Sequence, residues 1–226
     1  MATIYSRSEL FNLIAENGFM PLFNTDDEGQ GLQVLEAAYR GGVRVFEFTN
    51  RSPKALVVFK KLSLHAASAF PDLVLGAGTI TDPGMAASFL EAGARFIVLP
   101  MIRPRVAEYC QKQDVFWMPG CGTISEIAES TDQGADMVKI FPAELLGGYR
   151  FLEAIHGPCP WVRAMPTGGV DGTDENLRAW FGAGAVCVGM GSRLFTREIM
   201  AARNYELLEK NISRITTMIR KIRQGQ

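Results

Sequence analysis

Two charges interrupt segments that are otherwise apolar, Glu47 in VFEFT (45–49) and Lys139 in MVKIF (137–141). A lysine set among Met137, Val138, Ile140 and Phe141 is drawn out of water, and burial favours its uncharged amine. A neutral amine can attack a ketone and form a Schiff base. The protonated imine then withdraws electrons from the adjacent C–C or C–H bond. A base must still move protons during carbinolamine formation and at the enamine carbon, and a carboxylate beside the amine suits that task. The alternative is a structural ion pair, but desolvation can exceed the attraction between two buried charges. If Glu47 and Lys139 meet, they point to imine-type aldol chemistry.

Whether they meet depends on the elements that carry them. Four segments resemble one another: GVRVFEF (42–48), GARFIVL (93–99), GADMVKI (134–140) and GAVCVGM (184–190). Each follows a helix-like stretch, begins with a glycine suited to the residue after a helix C-cap, and enters a β-rich run. One more strand fits before each, at GFMPLF (18–23), DLVLGAG (72–78), DVFWMPG (114–120) and WVRAMPTG (161–168). Eight strands alternating with helices predict parallel βαβ units and a TIM (β/α)8 barrel, flanked by an N-terminal and a C-terminal helix, as one domain over residues 1–226. Lys139 lies five residues after Gly134 and Glu47 five after Gly42. Strand parity therefore turns both inward, Val45, Glu47 and Thr49 on one face, Phe46 and Phe48 toward the helices. Both sit on even-numbered strands and share an interior layer.

The connecting helices carry their own signals. Ser52-Pro53 predicts an N-cap with proline in the first turn, followed by a face of Ala55, Val58, Phe59 and Leu62. Thr123 to Glu126 has capping-box form. Leu177, Trp180 and Phe181 mark a buried stripe. The tail, roughly 203–223, places Leu208, Ile212, Ile215, Ile219 and Ile222 on one face, for core or subunit packing or, as the alternative, a membrane surface.

Composition excludes several functions. The chain has 226 residues, 47% of them hydrophobic, and a formal net charge of −1, with no basic run to hold nucleic acid. The N-terminal MATIYSRSELFNLIAENG alternates like a surface helix and has no signal-peptide core. No run reaches the length of a membrane span. Four irregularly spaced cysteines, Cys110, Cys121, Cys159 and Cys187, read as reduced thiols in a cytoplasmic protein. With His65 and His156 the only histidines, a histidine-rich metal site is not expected, and His156 reads as packing or polar surface.

Active sites of this fold lie at the C-terminal strand ends. Arg51 belongs there, where its planar fork suits a carboxylate, or it is a surface residue. Thr79 in GAGTIT ends the third strand, with glycines that allow close backbone approach to a ligand. PTGGV (166–170) and GMGSRLF (189–195) follow the last two strands, where backbone N–H groups of Gly168, Gly169, Gly191 and Ser192 predict an anion site.

Taken together, GGVRVFEFTNR, GAGTI, PGCGTISE, VKIFPAE, PTGGV and VGMGSRLF resemble the 2-keto-3-deoxy-6-phosphogluconate (KDPG) / 4-hydroxy-2-oxoglutarate (KHG) aldolase family, over about residues 18–195. The resemblance implies a class I aldolase with no metal or other cofactor, only a covalent Schiff base, on a homotrimeric TIM barrel. It implies Lys139 as the Schiff-base lysine and Glu47 as general acid/base. Arg51 and Thr79 would hold the pyruvate carboxylate, Pro100 and Phe141 would line the pocket, and Thr167, Gly168, Gly169, Gly191 and Ser192 would bind substrate and its phosphate. Three places depart from the pattern. Leu99 stands where serine is common, Cys121-Gly122 replace other small residues, and PLFNTDD has no basic group at the end of the first strand. Asn24, Asp26 and Asp27 there would favour hydroxyls over an additional anion.

The expected reaction is reversible cleavage of a 2-keto-3-deoxy sugar acid to pyruvate and an aldehyde, without nucleic-acid or membrane partners. Two other readings share the barrel: a phosphosugar epimerase using the pair as acid and base, and a non-catalytic sugar-acid binding protein.

Overall fold

The computed structural model describes residues 5–225; the first four residues of the expected N-terminal helix lie outside them. The fold is α/β, with short parallel strands separated by helices. In chain order these are α1 (Arg7–Asn17), β1 (Phe19–Phe23), α2 (Glu28–Arg40), β2 (Val45–Thr49), α3 (Ala55–Ala69), β3 (Val74–Gly78), α4 (Pro83–Glu91) and β4 (Phe96–Val98). Then follow α5 (Pro104–Lys112), β5 (Phe116–Met118), β6 (Gly120–Cys121), α6 (Ile124–Asp132), β7 (Val138–Ile140), a 3-10 turn (Ala143–Leu146) and α7 (Tyr149–His156). The chain ends with β8 (Ala164–Pro166), α8 (Asp174–Gly182), β9 (Val188–Met190), α9 (Arg197–Ala201) and α10 (Tyr205–Gln224).

The repeat glycines do the same job four times. Gly42, Gly93, Gly134 and Gly184 have φ of 100, 105, 74 and 92°, left-handed values that cost glycine little. Each follows a helix C-cap, and the next N–H returns to the last turn: Val43 to the Ala38 carbonyl, Ala94 to Phe89, Ala135 to Ser130 and Ala185 to Trp180, at 2.9–3.1 Å. This is the Schellman closure. It ends α2, α4, α6 and α8 and turns the chain into the following strand.

All eight expected strand segments carry strands, but their hydrogen bonding forms two curled parallel arcs. One has the order β5-β4-β3-β2-β1-β9 and the other β6-β7-β8. Proline at 119 has no N–H to give a ladder, and it divides the fifth expected strand into β5 and β6. The Pro119 carbonyl still accepts from Lys139 N–H at 2.8 Å, and Val186 N–H reaches the Ala164 carbonyl at 3.0 Å. At the same β8–β9 junction a parallel bridge, Thr167 with Gly189, also joins the arcs.

Two apolar clusters follow strand parity. Phe46, Phe48, Val138 and Ile140 belong to the layer between strands and helices. Met20, Val45, Val74, Phe96, Phe116, Met118, Met137, Met165 and Cys187 form an inner cluster with Leu10 and Ile14 of α1. Thus α1, whose Ser6–Glu9 capping box starts it cleanly, is more than a surface helix: its apolar side closes one end of the inner cluster. Arg7 holds it there, donating to Asp136 through Nε at 2.9 Å and Nη2 at 2.9 Å.

Some cap assignments change. Helix α3 starts at Ala55 after Lys54, without a side-chain cap. The Ser52 hydroxyl is taken instead by the Asp26 carboxylate. Thr123 does cap α6, accepting from Glu126 N–H at 3.2 Å, while Glu126 bonds Gly122 N–H at 2.8 Å. In α10, Leu208, Ile212, Ile215, Ile219 and Ile222 are all buried in the layer against the rest of the chain. That apolar face is core, leaving no stripe for a membrane surface. Among the described residues no helix is long and apolar enough to cross a membrane.

Candidate active site

Glu47 sits in the middle of β2, paired in register with Gly76 of β3. Lys139 sits in the middle of β7, paired with Gly120 and Met165 on its two sides. Their strands belong to different arcs, yet the side chains meet. The amine of Lys139 donates to Glu47 Oε1 at 3.3 Å and to Oε2 at 3.4 Å. Glu47 is 0% and Lys139 5% exposed, so both groups are shielded from bulk solvent. The Lys139 nitrogen also stands 5.7 Å from the centre of the Phe141 ring. At this depth an electrostatic contact is barely screened. A proton can pass between the two groups without reaching bulk water.

Beyond Phe141 opens a cavity of about 390 Å³, lined by Leu22, Phe23, Asn24, Arg51, Phe141, Thr167, Gly168, Gly191, Ser192, Phe195 and Met200. It lies at the C-terminal ends of β1, β2, β7, β8 and β9. Arg51 is exposed at its wall. The Thr167 hydroxyl is buried in the same wall with no protein hydrogen-bond partner. Gly168 and Gly169 have φ of 93 and 79°, left-handed values that cost glycine little. Gly191 opens a turn in which its carbonyl accepts from Leu194 and Phe195 N–H at 2.9 and 3.0 Å.

Not every expected group reaches this cavity. Glu47 and Lys139 are themselves outside its lining, the amine approaching it behind the Phe141 ring; Thr79, Pro100 and Gly169 are half-buried and also outside the lining. Thr79 follows β3 with φ of 61°, an unusual value for a β-branched residue. Asp26 and Asp27 are engaged elsewhere, the first with Ser52, the second with Gln30 N–H at 3.0 Å and Arg203 at 3.1 Å. Of the polar residues after β1, only Asn24 lines the cavity.

The KDPG and KHG aldolase family model matches residues 11–211. The chain belongs to the KDPG and KHG aldolase family. A KHG/KDPG aldolase of Escherichia coli (strain K12) is 34% identical over 178 residues, 78% of this chain and 80% of that protein. A 2-dehydro-3-deoxy-phosphogluconate aldolase of Dickeya dadantii is 34% identical, over 85% of this chain and 84% of its own. Among solved structures, a KDPG aldolase of Legionella pneumophila superposes with a TM-score of 0.82 at 30% identity, covering 91% of this chain and 97% of that one. That structure holds pyruvate as a covalent carbinolamine, captured at low pH. As a member of the KDPG and KHG aldolase family, the chain is a lyase of the Schiff-base class.

In this aldolase, sequence reasoning did not single out Leu22, Phe23, Phe195 and Met200 as parts of the cavity wall. Phe23 and Phe195 pack with ring centres 4.7 Å apart. In sequence both read as ordinary core residues at strand and turn positions, and Met200 carries no signal of its own. The three buried cysteines are poor nucleophiles: burial pushes the thiols of Cys110 and Cys187 up to about 12 and that of Cys121 to about 11. His156 is a structural clip, its ring nitrogens 2.8 and 3.0 Å from the Ala183 and Val162 carbonyl oxygens.

Proposed function

We propose that this aldolase cleaves 2-keto-3-deoxy-6-phosphogluconate to pyruvate and glyceraldehyde 3-phosphate, with Lys139 as the imine-forming amine and Glu47 as the proton-moving base. The observation that carries the assignment is the buried Lys139–Glu47 contact beside a cavity, in a chain whose structural relative holds pyruvate as a carbinolamine.

The chemistry follows from that contact. Lys139 attacks the C2 ketone, and Glu47 delivers a proton to the departing hydroxyl as carbinolamine loses water to become iminium. Glu47, now a carboxylate, takes the proton of the C4 hydroxyl as the C3–C4 bond breaks. The bond electrons enter the iminium to give an enamine, and the aldehyde leaves. Returning that proton to C3 gives the pyruvate imine, which water hydrolyses. Arg51 holds the carboxylate of the keto acid. Thr79 and Pro100 join the site when substrate is seated. Thr167, Gly168, Gly169, Gly191 and Ser192 receive the distal hydroxyls and phosphate, and 4-hydroxy-2-oxoglutarate, which gives glyoxylate, is the shorter substrate. The Lys139–Glu47 contact between arcs also favours this reading over a phosphosugar epimerase, which needs two proton carriers on opposite faces of one carbon.

The same reading extends to the molecule. The two arcs close into one (β/α)8 barrel domain, supported by the inner ring of apolar residues drawn from both arcs. It works as a cytoplasmic homotrimer. Exposed Met85, Met101, Ile124 and Leu145, all on segments that follow strand ends at the cavity face, supply apolar surface for subunit contact.

A coupled assay of pyruvate release tests the substrate. The phosphorylated keto acid is expected to be cleaved with a higher kcat/KM than its unphosphorylated analogue, and equal values for the two would remove the phosphate role of the glycine turns.

A further inference from the structure

The glycines of GAGT in β3 are expected from sequence to give a ligand close access to the backbone. The structure fills their space differently. A Cβ on Gly76 would strike the ring of Phe96, a fully buried member of the inner cluster. A Cβ on Gly78 would lie 2.6 Å from Cδ and 2.8 Å from Cγ of Glu47, and closer still to Oε1. Glu47 is 0% exposed, so relief of this clash requires its carboxylate to leave the place where it lies. Gly78 is itself locked in the sheet, paired with Thr49 of β2, and its carbonyl accepts from Asn50 N–H at 2.8 Å.

We propose that Gly78 is a positioning residue for the aldol reaction: by lacking a side chain it leaves the one volume in which the Glu47 carboxylate can lie and still face the Lys139 amine. The proposal rests on the roles given above to Glu47 and Lys139. Glu47 leaves its own strand and lies over the neighbouring one, so β3 sets the base's position through an absence of atoms. A methyl group at 78 would push the carboxylate off its 3.3 Å contact with Lys139. Misplacing a proton-transfer group by about 1 Å costs on the order of 10²-fold in rate.

Exchange of the C3 hydrogens of pyruvate with D2O, followed by NMR, reads this directly. The base removes a C3 proton from the pyruvate imine, its electrons form the enamine, and a deuteron returns. Gly78→Ala is expected to retain the folded circular-dichroism spectrum and to trap pyruvate on Lys139 with borohydride. It should keep KM for pyruvate within about twofold yet lose exchange by about 10²-fold. In a Glu47→Ala background, already slow, the same substitution should cost nothing further, since nothing remains to be displaced. Equal losses in both backgrounds, or parental exchange in Gly78→Ala, would overturn the proposal. Should Gly78→Ala alone fail to fold, Glu47→Ala is expected to restore the fold by removing the clash, and a double variant that stays unfolded would overturn it. Failure of the underlying reading looks different: Glu47→Ala itself would exchange at the parental rate while Lys139 still traps pyruvate.

Discussion

Lys139 and Glu47 stand in two strands far apart in sequence, and each is the only charged side chain in its strand. Replacing Glu47 with Gln keeps the shape and removes the proton acceptor. The expected result is a fall in kcat of about 10²–10⁴-fold with pyruvate still trapped on Lys139, read by steady-state kinetics beside mass spectrometry. Arg51 is exposed at the cavity wall with no need to hold the fold, so Arg51→Ala should raise KM with melting unchanged. The charged pair was legible in sequence because charge inside an apolar strand is improbable without a use, and because the repeat fixes parity. Thr79 was less so. It follows the glycines that the motif demands, but its left-handed backbone and its place outside the cavity lining depend on how β3 ends, which no spacing reports.

Among the elements, α1 and the start of β7 form a clamp that sequence periodicity did not reveal. Arg7 and Asp136 are 129 residues apart, and although Asp136 lies in the repeat segment GADMVKI, its three counterparts there are not acidic. Asp136 takes both nitrogens of the Arg7 fork and Trp117 N–H at 3.1 Å. Removing the arginine leaves a half-buried carboxylate short of donors, and Arg7→Ala should lower stability by about 1–3 kcal/mol in urea unfolding. Burial raises the Asp136 carboxyl above its ordinary 3.8, against the opposing pull of Arg7. The folded chain therefore keeps this proton to a higher pH than the unfolded chain does. Its contribution to stability is full below 3.8 and is lost as pH rises through the raised folded value. Asp136→Asn should remove that slope from a series of unfolding measurements starting near pH 4. The helix ends show the same division of legibility. Gly42, Gly93, Gly134 and Gly184 could be read because left-handed closure selects glycine. Ser52 could not, because Asp26 in a distant loop competes for its hydroxyl.

For the whole molecule, eight βα units were visible in the repeat, while the division into two hydrogen-bonded arcs was not. It depends on where Pro119 interrupts a ladder and on how sparse the β8–β9 pairing is, the Thr167–Gly189 bridge and the Val186–Ala164 hydrogen bond. The trimer proposal has a direct check. Light scattering should give three times the chain's own mass, and replacing Leu145, 83% exposed, with Glu should lower it; an unchanged single-chain mass in the parent would refute the assembly. The thiols give a second, independent view of the closed interior. Cys110, Cys121 and Cys187 are buried, with Cys159 partly accessible. Ellman's reagent should find at most one thiol in the folded protein and all four in denaturant.

In the proposed mechanism the Lys139 amine becomes bonded to substrate carbon. Incubation with pyruvate and borohydride, followed by peptide mass spectrometry, should leave a stable adduct on Lys139 and abolish activity, with Lys139→Arg carrying none. An enzyme that stays active and unmodified at Lys139 after that treatment would contradict it.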